Sequence, residues 1–365
     1  MNAADSTRRL SSEWSSRLFR ATASTSATTR RSTGWALQGA HLDRVNHTVS
    51  HAWRTSTTQK YSKDILDFLR WCDANTVPLH NRLPASEDLL CAYASSFAGT
   101  LAGSSIRNKC AAVRKWHISN GLSYAGGTQL AYVIKGAETL RPLSSVRPPR
   151  SAFTADMLSA LSGALNPASP EDICILLVAC IAFWGQIRLG ELLPNREALY
   201  DPKKFPSWAD LRKPNASGSR ILHLPHTKLG GTRGEDVIIA RQAFLDPISC
   251  LDLHHSVNGT PNHIIASYRD PGGASIALTC RKFLRRVNNI LSTLHYPHIS
   301  GHCFRIGGTT HLLLSGVPPD VVRMMGRWSS DSFLRYWRSL EIIAPMYAEL
   351  LRPVMVVPGT RRPSP

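Results

Sequence analysis

Twelve consecutive apolar residues, Ile173 to Trp184, constrain this chain more than any other stretch in it. The run is too short for a bilayer, which takes about 20 residues to cross. It predicts instead a helix buried on all sides, over residues 171 to 184. Directly behind it, residues 185 to 194 read Gly-Gln-Ile-Arg-Leu-Gly-Glu-Leu-Leu-Pro. An arginine so close to a buried helix is unexpected, because an unpaired buried charge is costly. Arg188 is therefore either half of a structural ion pair with Glu191 or a functional cation, and the local sequence leaves both readings open.

A second stretch, residues 299 to 338, carries the other unusual chemistry. His302 and Arg305 are three residues apart, so on a helix they share a face and can converge on one anionic group. Cys303, Ile306, Thr310 and Leu313 make a second, mostly apolar stripe, and Gly316 with Pro318 marks the stop. Gly307 and Gly308 fall mid-helix, where each costs about 1 kcal/mol relative to alanine. Close approach of a neighbouring helix or of a nucleic-acid strand would explain them. Pro319 and Asp320 open a further short helix that Gly326 breaks, and Trp328 follows. Ser330 then caps a last helix with Asp331 in its first turn. Phe333, Trp337 and Leu340 form its buried stripe, and Tyr336 stands at the edge of that stripe.

The chain of 365 residues has 43 Lys and Arg against 25 Asp and Glu, a formal charge of +18. Such an excess predicts a polyanionic partner, nucleic acid before membrane, and the prevalence of arginine suits phosphate recognition. The eight cysteines include no Cys-x-x-Cys pair, so neither a zinc site nor a disulfide framework is expected. A reducing compartment follows, the nucleus in a eukaryote and otherwise the cytoplasm.

In chain order, residues 1 to 45 form a basic Ser/Thr/Arg-rich tail with no fold expected. Asp5 and Glu13 argue against a mitochondrial transit peptide there. Residues 46 to 140 predict a small all-helical domain of four helices: Ser56 to about Asn75, Pro84 to Phe97, Gly103 to about His117, and about Gln129 to Thr139. Arg107, Lys109, Arg114 and Lys115 on the third could track a DNA backbone or simply be a solvated face. Residues 141 to 151 read as an extended linker. A second domain, 152 to 351, begins with Thr154 as a cap. In it residues 195 to 219 read as a loop, Arg220 to Ala240 as a β-hairpin with a glycine-rich turn bearing Lys228 and Arg233, and Phe244 to Val257 as a helix. Arg269 to Gly273 reads as a turn and Leu278 to Leu294 as a helix with Arg281, Lys282, Arg285 and Arg286 as candidate phosphate contacts. Residues 352 to 365 read as a tail.

These motifs together resemble the tyrosine recombinases, or phage-type integrases, and especially those of eukaryotic mobile elements. The family's first arginine box, Arg-x-x-Glu-Leu, falls on Arg188 and Glu191, its His-x-x-Arg box on His302 and Arg305, its hairpin lysine on Lys228, its His-or-Trp position on Trp328 and its nucleophile on Tyr336. One departure stands out: the family commonly places the tyrosine nine residues after the His/Trp position, and Tyr336 is eight after Trp328. The resemblance implies a mainly α fold with a small β-hairpin, a helical SAM-like core-binding domain gripping one side of a duplex and a catalytic domain on the other. It implies site-specific recombination or integration through a 3′-phosphotyrosine, without metal, ATP or another cofactor, on double-stranded DNA, by a homo-oligomer that is a tetramer on paired sites. Arg188 and Arg305 would clamp the phosphate, His302 would hydrogen-bond it or assist deprotonation of Tyr336, Trp328 would give an indole donor and packing, Lys228 would protonate the leaving oxygen, and Glu191 would orient Arg188. Two alternatives share the motifs: a domesticated, inactive DNA-binding protein with the same fold, and a type IB topoisomerase.

Overall fold

The computed structural model describes residues 39–53, 55–146, 148, 150–196, 201–228, 230–259, 263–330, 333–334 and 344–345. The chain divides between Pro148 and Pro149 into two units, each with its own core.

The first unit contains α1 (Gly39–Ser50), α2 (Thr55–Ala74), α3 (Leu79–Arg82), α4 (Glu87–Ser95), α5 (Gly103–Ser119) and α6 (Thr128–Thr139). Helix α1 begins within the stretch for which no fold was expected. Leu42, Val45 and Val49 recur there at helical spacing, a weak signal in a Ser/Thr-rich context. Phe68, Tyr93, Ile106 and Val113 are fully buried, and the Phe68 and Tyr93 rings meet edge to face at 5.0 Å. Ser86 caps α4, and the Glu87 carboxylate behind it accepts from the Gly127 and Leu130 amides at 2.9 and 3.1 Å, closing the start of α6 onto α4. His117 is fully buried and bonded at both nitrogens, to the Ala85 amide and the Val113 carbonyl, each at 2.8 Å. Residues 143 to 145 in the expected linker form a 3₁₀ turn held by the Arg141 side chain on Ser145.

The second unit is mainly helical with two small antiparallel hairpins: α7 (Ala155–Ala164), α8 (Pro170–Trp184), α9 (Leu189–Leu192), β1 (Arg220–Leu224), β2 (Glu235–Ile239), α10 (Pro247–Asn258), β3 (Ser267–Arg269), β4 (Ser275–Ala277), α11 (Cys280–Thr293), α12 (Gly301–Leu314) and α13 (Pro319–Met325). Helix α8 is the buried apolar run; Ser169 caps it and Pro170 opens it. It packs between α10 and α12. Gly307 and Gly308 explain how α12 can lie so close. A Cβ at Gly308 would collide with the Phe183 carbonyl oxygen of α8, and one at Gly307 with the Phe153 carbonyl oxygen. The motive for the glycines is thus close backbone approach within the unit. Cys303, Ile306, Thr310 and Leu313 are buried as a stripe, but so are Phe304, Arg305 and Thr309, so α12 has no open working face at its centre. The hairpin β1–β2 pairs Arg220 with Ile239 through Leu224 with Glu235. The β3–β4 hairpin occupies the expected Arg269 to Gly273 turn and its flanks; strands of three residues are too short to show alternation. Among the described residues no helix is long and apolar enough to cross a membrane.

A buried histidine on α10 gives the unit an acid limit. His254 is fully buried, its Nε2–H donating to the Ile265 carbonyl at 2.8 Å while Nδ1 accepts from the Asn258 amide at 3.1 Å. Burial holds its pKa down to about 4. The unfolded chain therefore takes up a proton from about pH 6.5 downward, while the folded chain resists until about pH 4. The stability this residue contributes is complete above 6.5 and falls through that window, by about 3 kcal/mol from His254 alone. The urea midpoint of this unit should be level from pH 8 to 7 and drop steadily below 6.5; the same midpoint at pH 5 as at pH 7.5 would refute the assignment.

Candidate active site

Helix α8 ends at Trp184, and the chain must turn sharply to deliver Arg188. Gln186 makes the turn in the left-handed region, with φ +50°, although it is not glycine. Its fully buried side chain accepts from Thr309 Oγ1 at 2.8 Å, which anchors the turn to α12. Arg188 then stands at the start of the short α9, and its Nη1 meets Glu191 Oε1 at 2.7 Å. The ion pair considered from sequence is therefore present, and it does not consume the site, because Glu191 is shared. Its Oε2 also accepts from Arg327 Nη2 at 2.9 Å, and Arg327 Nη1 reaches Glu235 Oε2 at 3.2 Å on β2. The flanking guanidiniums overcome the burial of Glu191 and hold its carboxyl below the usual range, so it is ionised at neutral pH.

Arg305 is the largest fully buried side chain among the described residues. Its Nη1 donates to the Gln186 carbonyl at 2.8 Å and its Nη2 to the Gly326 carbonyl, at the C-terminal ends of α8 and α13. A cation suits both positions, where helix dipoles present partial negative charge. The Trp328 ring covers the guanidinium at 4.2 Å. That ring can fold back only because residue 326 has no side chain: a Cβ at Gly326 would sit inside the indole.

His302 is half-buried at the start of α12. Burial first, then the charges of Arg305, Arg150 and Arg188, push its pKa down to about 4. It is a neutral imidazole at pH 7, able to accept a proton, in a cluster of three guanidiniums. Lys228 lies exposed on the β1–β2 turn, and Arg233 is exposed across it. Tyr336 falls outside the described residues, as do Trp337 and Leu340 of the expected last helix. Phe333 is buried against Trp328, with ring centroids 5.5 Å apart.

The candidate phosphate contacts divide. On α5, Lys109 is engaged by Asp64 and Asp67 at 3.5 and 2.8 Å, and Lys115 lies over the Trp53 ring at 4.5 Å. Arg107 and Arg114 are exposed and line a cleft of about 330 Å³ between α5 and α6. On α11, Lys282 pairs with Glu171 at 2.8 Å and Arg286 grips Asp172 with two bonds of 3.1 and 2.8 Å, tying α11 to the start of α8. Arg281 and Arg285 are exposed one turn apart.

Arg327 was not singled out from sequence, yet its side chain is withdrawn from solvent and ties α9 to β2 within the site. One signal could have found it: Arg327, and not Trp328, stands nine residues before Tyr336.

No protein-family model matches the chain, and no curated protein sequence does. Solved structures do match. The XerH site-specific recombinase bound to palindromic difH substrate, in a post-cleavage complex, aligns over 86% of each chain with a TM-score of 0.55 and 16% identity. XerH in its pre-cleavage complex with difH aligns over 93% of this chain and 95% of its own, with a TM-score of 0.53 and 15% identity. The Tn1549 transposon integrase in complex with circular intermediate DNA aligns over 85% and 97%, with a TM-score of 0.52 and 12% identity.

Proposed function

We propose that this chain, which has the fold of the tyrosine recombinases, breaks and rejoins double-stranded DNA through a 3′-phosphotyrosine. The observation that carries the reading is the cluster around His302: a neutral imidazole beside Arg188 and Arg305, each arginine fixed by a separate device. Such a cluster is built to hold an anion and to take a proton in its presence. The XerH and Tn1549 integrase structures named above are complexes with difH substrate and with circular intermediate DNA.

In the step proposed, the Tyr336 hydroxyl oxygen bonds to phosphorus and the bond from phosphorus to the 5′-oxygen breaks. His302 takes the tyrosine proton. Lys228 gives a proton to the departing 5′-hydroxyl. Arg188 contacts a non-bridging oxygen, and Arg305 supplies fixed positive charge behind it as the phosphorane forms. The link keeps the energy of the broken bond, so the reverse attack joins a second strand without ATP. Integration and excision both follow from this one chemistry, on paired sites held by an oligomer.

The test starts by selecting duplexes retained by the full chain from a random-sequence library, since the target site is open. A retained duplex carrying a nick near its centre should trap a covalent adduct that survives detergent, and peptide mapping should place the DNA on Tyr336. Adding EDTA should leave the yield unchanged. An adduct on Tyr347 would move the nucleophile. Retention without any adduct would identify a domesticated binding protein.

A further inference from the structure

We propose that Arg327 is a positioning residue for this reaction, coupling the Arg188 arm of the site to the hairpin that bears Lys228. The inference rests on the strand-cleavage reading above. Two carboxylates from opposite sides define it: Glu191 of α9, which also holds Arg188, and Glu235, the first residue of β2. The Arg327 side chain is only 8% exposed, so its guanidinium is almost withdrawn from water and must be met by charge. Both terminal nitrogens are so met, while its Nε–H is buried with no partner among the described residues.

The backbone around Arg327 is fixed with equal care. Its φ is +56°, a left-handed conformation that a side chain rarely adopts. The residue before it, Gly326, gives its carbonyl to Arg305. One junction of two residues therefore touches Arg305 through a carbonyl, Arg188 through Glu191, and the hairpin through Glu235. A planar fork is required, since one cation must span two carboxylates in different elements, and lysine cannot do so with the same geometry. Loss of the link would leave Arg188 paired but tilted, and would free the turn end of the hairpin, where Glu235 pairs with Leu224.

The experiment measures two quantities on the selected, nicked duplex with the full chain: the single-turnover rate of covalent attachment at saturating DNA, and DNA affinity. Arg327→Ala should slow attachment about 100-fold, the scale of a misplaced reacting group, with affinity changed less than about threefold. Arg327→Lys should fall between. Glu235→Gln should slow attachment about tenfold, and the double variant Arg327→Ala/Glu235→Gln should be no slower than Arg327→Ala, because both break one link. An Arg327→Ala rate near that of the wild type, or a double variant slowed by the product of the single effects, would overturn the proposal. If the wild type attaches no DNA, the strand-cleavage reading fails by itself. The coupling is then read by hydrogen exchange, where Arg327→Ala should speed exchange in β1 and β2 and leave α7 unchanged. Unchanged protection of the hairpin would overturn it there as well.

Discussion

Arg305→Ala is expected to lose strand cleavage and much of the stability of the second unit together. The catalytic part follows the usual cost of removing one fixed charge donor from a developing oxyanion, about 10²- to 10³-fold in rate. The structural part follows from the two carbonyls at the ends of α8 and α13, which would be left buried after losing a charged donor. Each such loss costs about 1–3 kcal/mol, so a total of about 2–6 kcal/mol is expected, much of a typical domain's margin. Urea unfolding of the full chain should show the second unit melting earlier, with the first unit unaffected. Arg305→Lys keeps charge and one bond and should recover stability more than rate. A folded, unshifted Arg305→Ala protein would mean that neither carbonyl depends on the guanidinium.

Gly308→Ala sets two effects against each other. Alanine gains about 1 kcal/mol over glycine within a helix. Its methyl group would, however, occupy the place of the Phe183 carbonyl oxygen, and backbone cannot swing aside as a flexible side chain can. Overpacking costs about 1–3 kcal/mol and occasionally more, and against a rigid backbone oxygen it falls at the upper end, so the clash wins. The contrast is Gly163→Ala in α7, where nothing lies within 4 Å of the new methyl group. That variant should be neutral or more stable by up to about 1 kcal/mol. Urea midpoints of the two proteins should therefore move in opposite directions. A Gly308→Ala midpoint at or above the wild-type value would show that α8 and α12 can part without loss.

What could be read from the residues depended on the length of the pattern carrying it. Helix α8 is a twelve-residue signal, and the β1–β2 hairpin has a glycine-rich turn between two apolar strands, so both were legible. The β3–β4 hairpin rests on strands of three residues and was not. Charged faces were legible as faces only. Lys109, Lys282 and Arg286 meet Asp67, Glu171 and Asp172 from 42, 111 and 114 positions away, and no local pattern separates a cation awaiting phosphate from one with a distant carboxylate. In the site, the residue types and order of Arg188, His302 and Arg305 were visible. The left-handed turns at Gln186 and Arg327 were not, because neither residue is the glycine that normally announces such a turn.

Arg305 anchors two helix ends whether or not a phosphate ever arrives. Selection for a folded protein alone would then keep it, along with Gly326 and the Trp328 ring above it, in a descendant that had abandoned recombination. Lys228 stands instead on an exposed turn of the β1–β2 hairpin. Among descendants of such a chain, the buried arginine records ancestry, and the hairpin lysine is the residue whose loss would first report a retired enzyme.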